Sequence, residues 1–255
     1  MNRKTLRYLA MVLSFVFMIS VFPVNVFAAP ETLTIFHTND VHGQAIGDPA
    51  VDEDGKTNEN GIIGYARYQT LLTEAKSNGD VLVFDSGDNL HGSNFASLSE
   101  GYNMVTMMNE IGVEAFVPGN HDFNYGYQRL LELTEELKAK ILAANVVYEN
   151  TGKPVFGENL MINKGAYQIG VFGLATPETK TKSNPLNTQG IKFLDAVEVA
   201  KAQISELKSQ GADLIILLSH LGLDEESEVT TYSVLDEVNG IDLVLDGHSH
   251  TSLDQ

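Results

Sequence analysis

Residues 117–126 read VPGNHDFNYG, and the fold turns on what this stretch is. An apolar run, Ala115-Phe116-Val117, gives way after one Pro to Gly119, Asn120, His121 and Asp122. Small and polar residues in that position make either an ordinary turn or a functional loop at the end of a strand. The way other strands of the chain end decides between the two.

Strand patterns fall at 33–36, 81–84, 115–117, 141–147, 212–218 and 241–245. Helical patterns alternate with them at 65–76, 102–110, 125–140 and 196–209. Residues 159–163 and 167–172, joined through Lys164-Gly165, read as a hairpin. Continuous apolar strands need cover on both faces, so the expected architecture is α/β, mostly parallel with some antiparallel strand.

The residues just past the other strands repeat the opening pattern. Phe36 leads into His37-Thr38-Asn39-Asp40-Val41-His42-Gly43, and Phe84 into Asp85-Ser86-Gly87-Asp88-Asn89. Leu218 leads into Ser219-His220, and Leu245 into Asp246-Gly247-His248-Ser249-His250. Ligands of open α/β sheets bind at the carboxyl ends of strands, so these clusters can converge in one crevice. Asp, His and Asn side chains make an oxygen and nitrogen shell suited to Mn, Zn, Fe or Co, and the absence of thiolates argues against a soft-metal site. There are more ligands than one tetrahedral ion uses. Two ions roughly 3.5–4 Å apart, bridged by a carboxylate, would use them. Asp40 and His42 lie two apart and share a face in an extended loop, as do His248 and His250. Asn120 offers a neutral oxygen, which keeps the site open to an anion.

Other polar residues have plainer readings. His37 is expected to alternate into the core, and His91 to lie beside the site or on the surface without being a ligand. Asp85 and Asp246 orient neighbouring histidines or cap turns. Residues 48–60 form a solvated loop. Aligning Gly55 with the invariant Gly of a calcium loop puts Ala50 and Gly61 at ligand positions, which excludes an EF-hand.

With 255 residues, 43% of them hydrophobic, the chain can bury one core, and its zero Cys leave no disulfide to hold it. Arg3, Lys4 and Arg7, then an apolar run to Phe22 and the small-residue site around Ala28, read as a signal peptide over 1–28. The run is shorter than the ~20 residues of a bilayer span, so no stable membrane insertion is expected after cleavage. Cleavage would remove three of 16 basic groups and none of 34 acidic ones, moving the net charge from −18 to −21. Such a surface repels a nucleic-acid polymer, and phosphate chemistry here calls for metal ions.

The ordered set Asp40-x-His42, Gly87-Asp88-Asn89, Gly119-Asn120-His121-Asp122, His220 and Gly247-His248-x-His250 resembles the calcineurin-like metallophosphoesterases. HTNDVHG together with an export signal is most similar to their secreted 5′-nucleotidase and UDP-sugar hydrolase branch, which includes bacterial 2′,3′-cyclic-nucleotide phosphodiesterases. The resemblance covers about 32–251. It implies a four-layer α/β/β/α sandwich over 29–255, two divalent ions, and attack on phosphorus by a metal-bound hydroxide. Asp40, His42 and His250 would hold one ion, Asn120, His220 and His248 the other, and Asp88 would bridge them. His121 would meet the phosphate. The implied substrate is a small nucleotide and the implied location extracytoplasmic.

Two departures qualify the resemblance. Relatives with a catalytic His–Asp dyad carry Asp three residues after the His, where this chain has Asn124, whose oxygen is expected to orient the imidazole without a charge. The sequence stops at Gln255, before the closing strands and the nucleotide-binding C-terminal domain that the resemblance implies. A metal- and phosphate-binding domain with little turnover is the alternative reading.

Overall fold

The computed structural model describes residues 32–51 and 57–253. The signal-peptide reading on 1–28 and the acidic turn at 52–55 lie outside the described residues.

Two four-stranded sheets carry the fold. In the first, β1 (Leu33–Thr38), β4 (Asp80–Asp85), β5 (Ala115–Phe116) and β6 (Lys140–Ile141) lie in that order, all parallel. In the second the order is β12 (Leu243–Leu245), β11 (Leu214–His220), β9 (Tyr167–Ala175) and β8 (Asn159–Lys164). Only β8 runs antiparallel there, against β9. Two small antiparallel pairs join β2 (Asp48–Val51) to β3 (Thr57–Ile62) and β7 (Val146–Tyr148) to β10 (Ile191–Phe193).

The layering comes from the two-residue side-chain period of strands. On β9, Ile169, Val171 and Ala175 enter the core shared with Leu82, Phe84 and Phe116 of the first sheet. The intervening Phe172 and Leu174 pack instead with Ala200, Ile204 and Leu207 of the helix Ala196–Ser209. β11 repeats the division, with Ile216 and Leu218 on one side and Ile215 and Leu217 on the other. The first sheet is covered by Leu72, Met104, Met108, Leu130 and Leu133, from helices Gly64–Asn78, Tyr102–Ile111 and Tyr127–Glu136. The result is the α/β/β/α sandwich, and both sheets point their carboxyl ends toward one edge. Among the described residues no helix is long and apolar enough to cross a membrane.

Three local expectations are corrected. The helix expected over 125–140 spans only Tyr127–Glu136: Gly126 precedes it at φ 89°, and Leu137 turns extended. The reason is pairing, since the Lys140 amide donates to the Glu114 carbonyl and draws that segment into the sheet. The strand expected over 141–147 is two short strands, β6 and β7. They are separated where buried Asn145 bonds the main chain of Ala175 through both its amide atoms. The loop expected over 48–60 includes the β2–β3 pair.

Gly173 sets how closely the two sheets meet. Its carbonyl accepts from Ala144 N at 2.9 Å, and a Cβ there would strike the Leu142 carbonyl. Gly173→Ala should cost about 1–3 kcal/mol or more through overpacking. A urea midpoint that falls at constant slope is the expected result; an unmoved midpoint would show that the sheets do not meet at this residue.

Candidate metal centre

The loops at this edge are held in costly conformations. Asp40, His42, Asp88, His248 and His250 have φ of 49°, 48°, 55°, 85° and 51°. Among the described non-glycine residues only Glu100 shares that region, at φ 47°. Each such residue costs about 1–3 kcal/mol unless its surroundings over-determine it. All five are expected metal ligands.

The surroundings are mostly backbone hydrogen bonds. Asp40 N donates to Gly87 O and His42 N to Asp88 O, both at 2.8 Å, which carries the β1–β4 ladder past the strand ends. Buried Asp85 accepts from Thr38 Oγ1 at 2.6 Å, Asn89 Nδ2 at 2.7 Å and Gly87 N at 2.9 Å. Asp122 is the larger knot. Its carboxylate accepts from Gly119 N, Asp88 N and Leu90 N at 2.8 Å and from Asn89 N at 3.0 Å. The segment around Asp122 is a 3₁₀ turn, His121–Phe123, which turns that carboxylate inward. Burial, then the charge of Asp88, pushes the Asp122 carboxyl up to about 7 against these bonds, and burial lifts Asp85 to about 6. Asp246 caps a turn by accepting from Leu221 N and Gly222 N, both at 3.3 Å. Asp85 likewise caps a turn through Gly87 N, and among the described residues neither carboxylate hydrogen-bonds a histidine.

The expected ligands come together in overlapping groups. Asp40, His42 and His250 form one and Asp88, His220 and His248 another, while His42, Asp88 and His121 form a third; within each, the ligand atoms lie within 4.8 Å of one another. His42 Nε2 and His250 Nε2 stand 3.2 Å apart, with Asp40 Oδ1 3.3 Å from the latter. Asp88 Oδ2 lies 3.3 Å from His220 Nε2. Asn120 is 2% exposed, and its Oδ1 is buried with no hydrogen-bond partner. Such an oxygen costs about 1–3 kcal/mol, and a cation is the partner it lacks. Gly119 makes the approach possible, since a Cβ there would collide with Asp88 Oδ1 and the His220 ring. The donor set therefore fits divalent ions.

Protonation obeys the same geometry. Burial opposes the charge on Asp88, but the His220 contact and the charges of His220 and His121 hold its carboxyl at about 2. Burial works to lower His220, yet Asp88 raises it to about 9. Burial lowers His42 and His248, which keeps lone pairs available. His220 Nδ1 donates to the Ser86 carbonyl, leaving Nε2 for a metal. Burial lowers His37 to about 4, in keeping with a structural role.

His121 sits beside the ligands, its ring 5.1 Å from that of His42. His91 stacks on it at 5.9 Å and 8°. Asn124 serves both imidazoles, but through its nitrogen: Nδ2 lies 3.0 Å from His121 Nδ1 and 3.1 Å from His91 Nδ1, while Ser183 Oγ donates to its Oδ1 at 3.0 Å. This corrects the expectation that the Asn oxygen orients the ring. An amide N–H donating to Nδ1 puts the imidazole proton on Nε2.

Two site residues escaped the sequence. Glu178 Oε2 lies 2.8 Å from His248 Nε2 and 2.8 Å from Lys182 Nζ. The strand-end rule could have found Glu178, but β9 was expected to stop at Phe172 and runs on to Ala175.

Comparison with known proteins places the chain. It matches the Calcineurin-like phosphoesterase family over residues 33–252 and belongs to that family. It is 33% identical over 235 residues to the snake venom 5′-nucleotidase of Gloydius brevicauda, covering 90% of this chain and 39% of that protein. It is 31% identical over 226 residues to a probable 5′-nucleotidase of Treponema pallidum, covering 86% of this chain and 36% of that one. The crystal structure of the 5′-nucleotidase precursor from Thermus thermophilus superposes with a TM-score of 0.76 at 28% identity, covering 88% of this chain and 43% of that one. The chain spans about two fifths of the length of these relatives.

Asn120→Leu separates the metal role from the fold. Without the unpaired oxygen, the metal-free protein should gain about 1–3 kcal/mol, while its affinity for Mn²⁺ falls at least tenfold. Chemical denaturation and metal titration of one preparation check both; a loss of stability together with unchanged Mn²⁺ affinity would reject the assignment.

Proposed function

We propose that this calcineurin-like phosphoesterase domain hydrolyses phosphoesters of small nucleotides with two divalent ions, outside the cytoplasm. The observation that carries the reading is the unpartnered Asn120 oxygen, set among ligand groups that share Asp88. The names of the relatives support the substrate class, and the basic, apolar leader together with the venom relative supports export.

Asp40, His42 and His250 would hold one ion and Asn120, His220 and His248 the other, with Asp88 available to both. Mn, Zn, Fe and Co suit these donors. When bound, such a pair activates water and polarises a phosphoryl oxygen. The chain's own residues do the rest. The His250 side chain is 58% exposed, so the centre opens to solvent there and an ester can enter. His121, its Nδ1 occupied by Asn124, carries its proton on Nε2 and can donate a hydrogen bond from it to a phosphoryl oxygen. Asn124, itself held by Ser183 and by Asn187 Nδ2 at 2.9 Å, keeps that tautomer. The acidic surface repels polyanions at long range, which favours small substrates.

Incubation with AMP, UDP-glucose and 2′,3′-cyclic AMP tests the reading. Product should form from at least one with Mn²⁺, cease with EDTA and return on adding Mn²⁺ in excess. Metals shown bound without turnover of any ester would favour a binding domain. Asn124→Asp refines the role of His121. A carboxylate supports the charged imidazole that an amide cannot, so kcat should rise; an unchanged or lower kcat would show that this site uses the neutral ring.

A further inference from the structure

The Glu178 side chain is 19% exposed, and its Oε2 meets three groups. His248 Nε2 and Lys182 Nζ are each 2.8 Å away, and Ser227 Oγ donates from 3.2 Å. Glu178 is itself fixed from below, since its amide donates to Thr176 Oγ1 at 3.2 Å just past β9. Lys182 Nζ also stands 3.2 Å from His248 Nε2. One ring nitrogen therefore faces a carboxylate and an ammonium at once.

The two neighbours ask for opposite tautomers. A carboxylate only accepts, so it stabilises Nε2–H and leaves the lone pair on Nδ1. An ammonium only donates, so it would claim the Nε2 lone pair and move the ring proton to Nδ1. With Nε2 engaged, Nδ1 is the atom that His248 has to offer beside Asp88 and His220. His220 solves the same problem with a main-chain carbonyl on its other nitrogen.

We propose that Glu178 is a positioning residue for the second metal. It holds Nε2–H of His248, absorbs the Lys182 charge, and so keeps Nδ1 unprotonated and aimed at the ion. This role rests on the metal-centre reading under Proposed function. Removing the carboxylate would leave Lys182 unopposed at Nε2 and invert the tautomer. The loss should then be reversible by removing Lys182 as well, which a merely structural role would not allow.

The test is Mn²⁺ titration of the metal-free chain, followed by calorimetry and by the paramagnetic resonance of adjacent Mn²⁺ ions. The unsubstituted protein should bind two ions. Glu178→Ala should keep one with its affinity unchanged and weaken the other by roughly 10–100-fold, with the Tm of the metal-free protein unmoved. Glu178→Gln, whose oxygen still accepts from Nε2–H, should lose less than Glu178→Ala. Glu178→Ala with Lys182→Met should recover part of the affinity, and Lys182→Met alone should leave it within twofold. If the unsubstituted protein binds no Mn²⁺, the metal-centre reading itself fails. If it binds two and Glu178→Ala binds both equally well, or the double variant is no better than Glu178→Ala, the positioning role is overturned and the metal centre stands.

Discussion

The Asp122 carboxylate, accepting four backbone N–H groups, is the constraint on which the rest of the centre depends. It binds the turn after β4, at Asp88, Asn89 and Leu90, to the turn after β5, at Gly119. Those turns carry the expected bridging carboxylate and Asn120. Gly119 is pressed so close to Asp88 and His220 that no side chain fits, so the lock also fixes ligand spacing. Burying a carboxylate this deeply is costly, and the four converging donors offset part of that cost. Asp85 plays the corresponding part between β1 and β4, through Thr38, Gly87 and Asn89.

Pre-organisation of this kind explains a backbone that would otherwise be unfavourable. Five expected ligands in the left-handed region persist because their neighbours leave no alternative, and the unpartnered Asn120 oxygen adds to the cost. Asp88 and His220 stand 3.3 Å apart inside the cluster and pair as ions when the ring is protonated. A metal ion held by the expected ligands would compete with that proton for the same atoms.

Much of the architecture was legible in the chain. The helix over 196–209 appears with those bounds, opened by the Asp195 side chain accepting from Glu198 N at 2.9 Å. The hairpin turning after Lys164 and the parallel apolar strands also appear where the apolar runs predict them. Two of the failures share one cause. The segment 137–141 has helical composition but is captured by pairing with β5, and β9 runs past Phe172, where it was expected to stop, because β11 pairs with it as far as Ala175. Pairing with a distant strand overrides local pattern, and the second of these errors hid Glu178.

By itself, the order of residue types determined that the chain is α/β, that its strands end in metal-ligand side chains, and that His121 stands among them. Those properties are local, written in periodicity and in which residue comes after which strand. Only the tertiary structure decided that Asp122 turns inward as a knot, that Asn124 presents its nitrogen to His121 and His91, and that Glu178 takes hold of His248. Each is a hydrogen bond whose direction depends on a partner brought close by the fold: Asp122 reaches residues 32–34 positions away, and Glu178 reaches one 70 positions away. Residue type fixes which atoms can donate or accept, but only the packed chain fixes which of them meet.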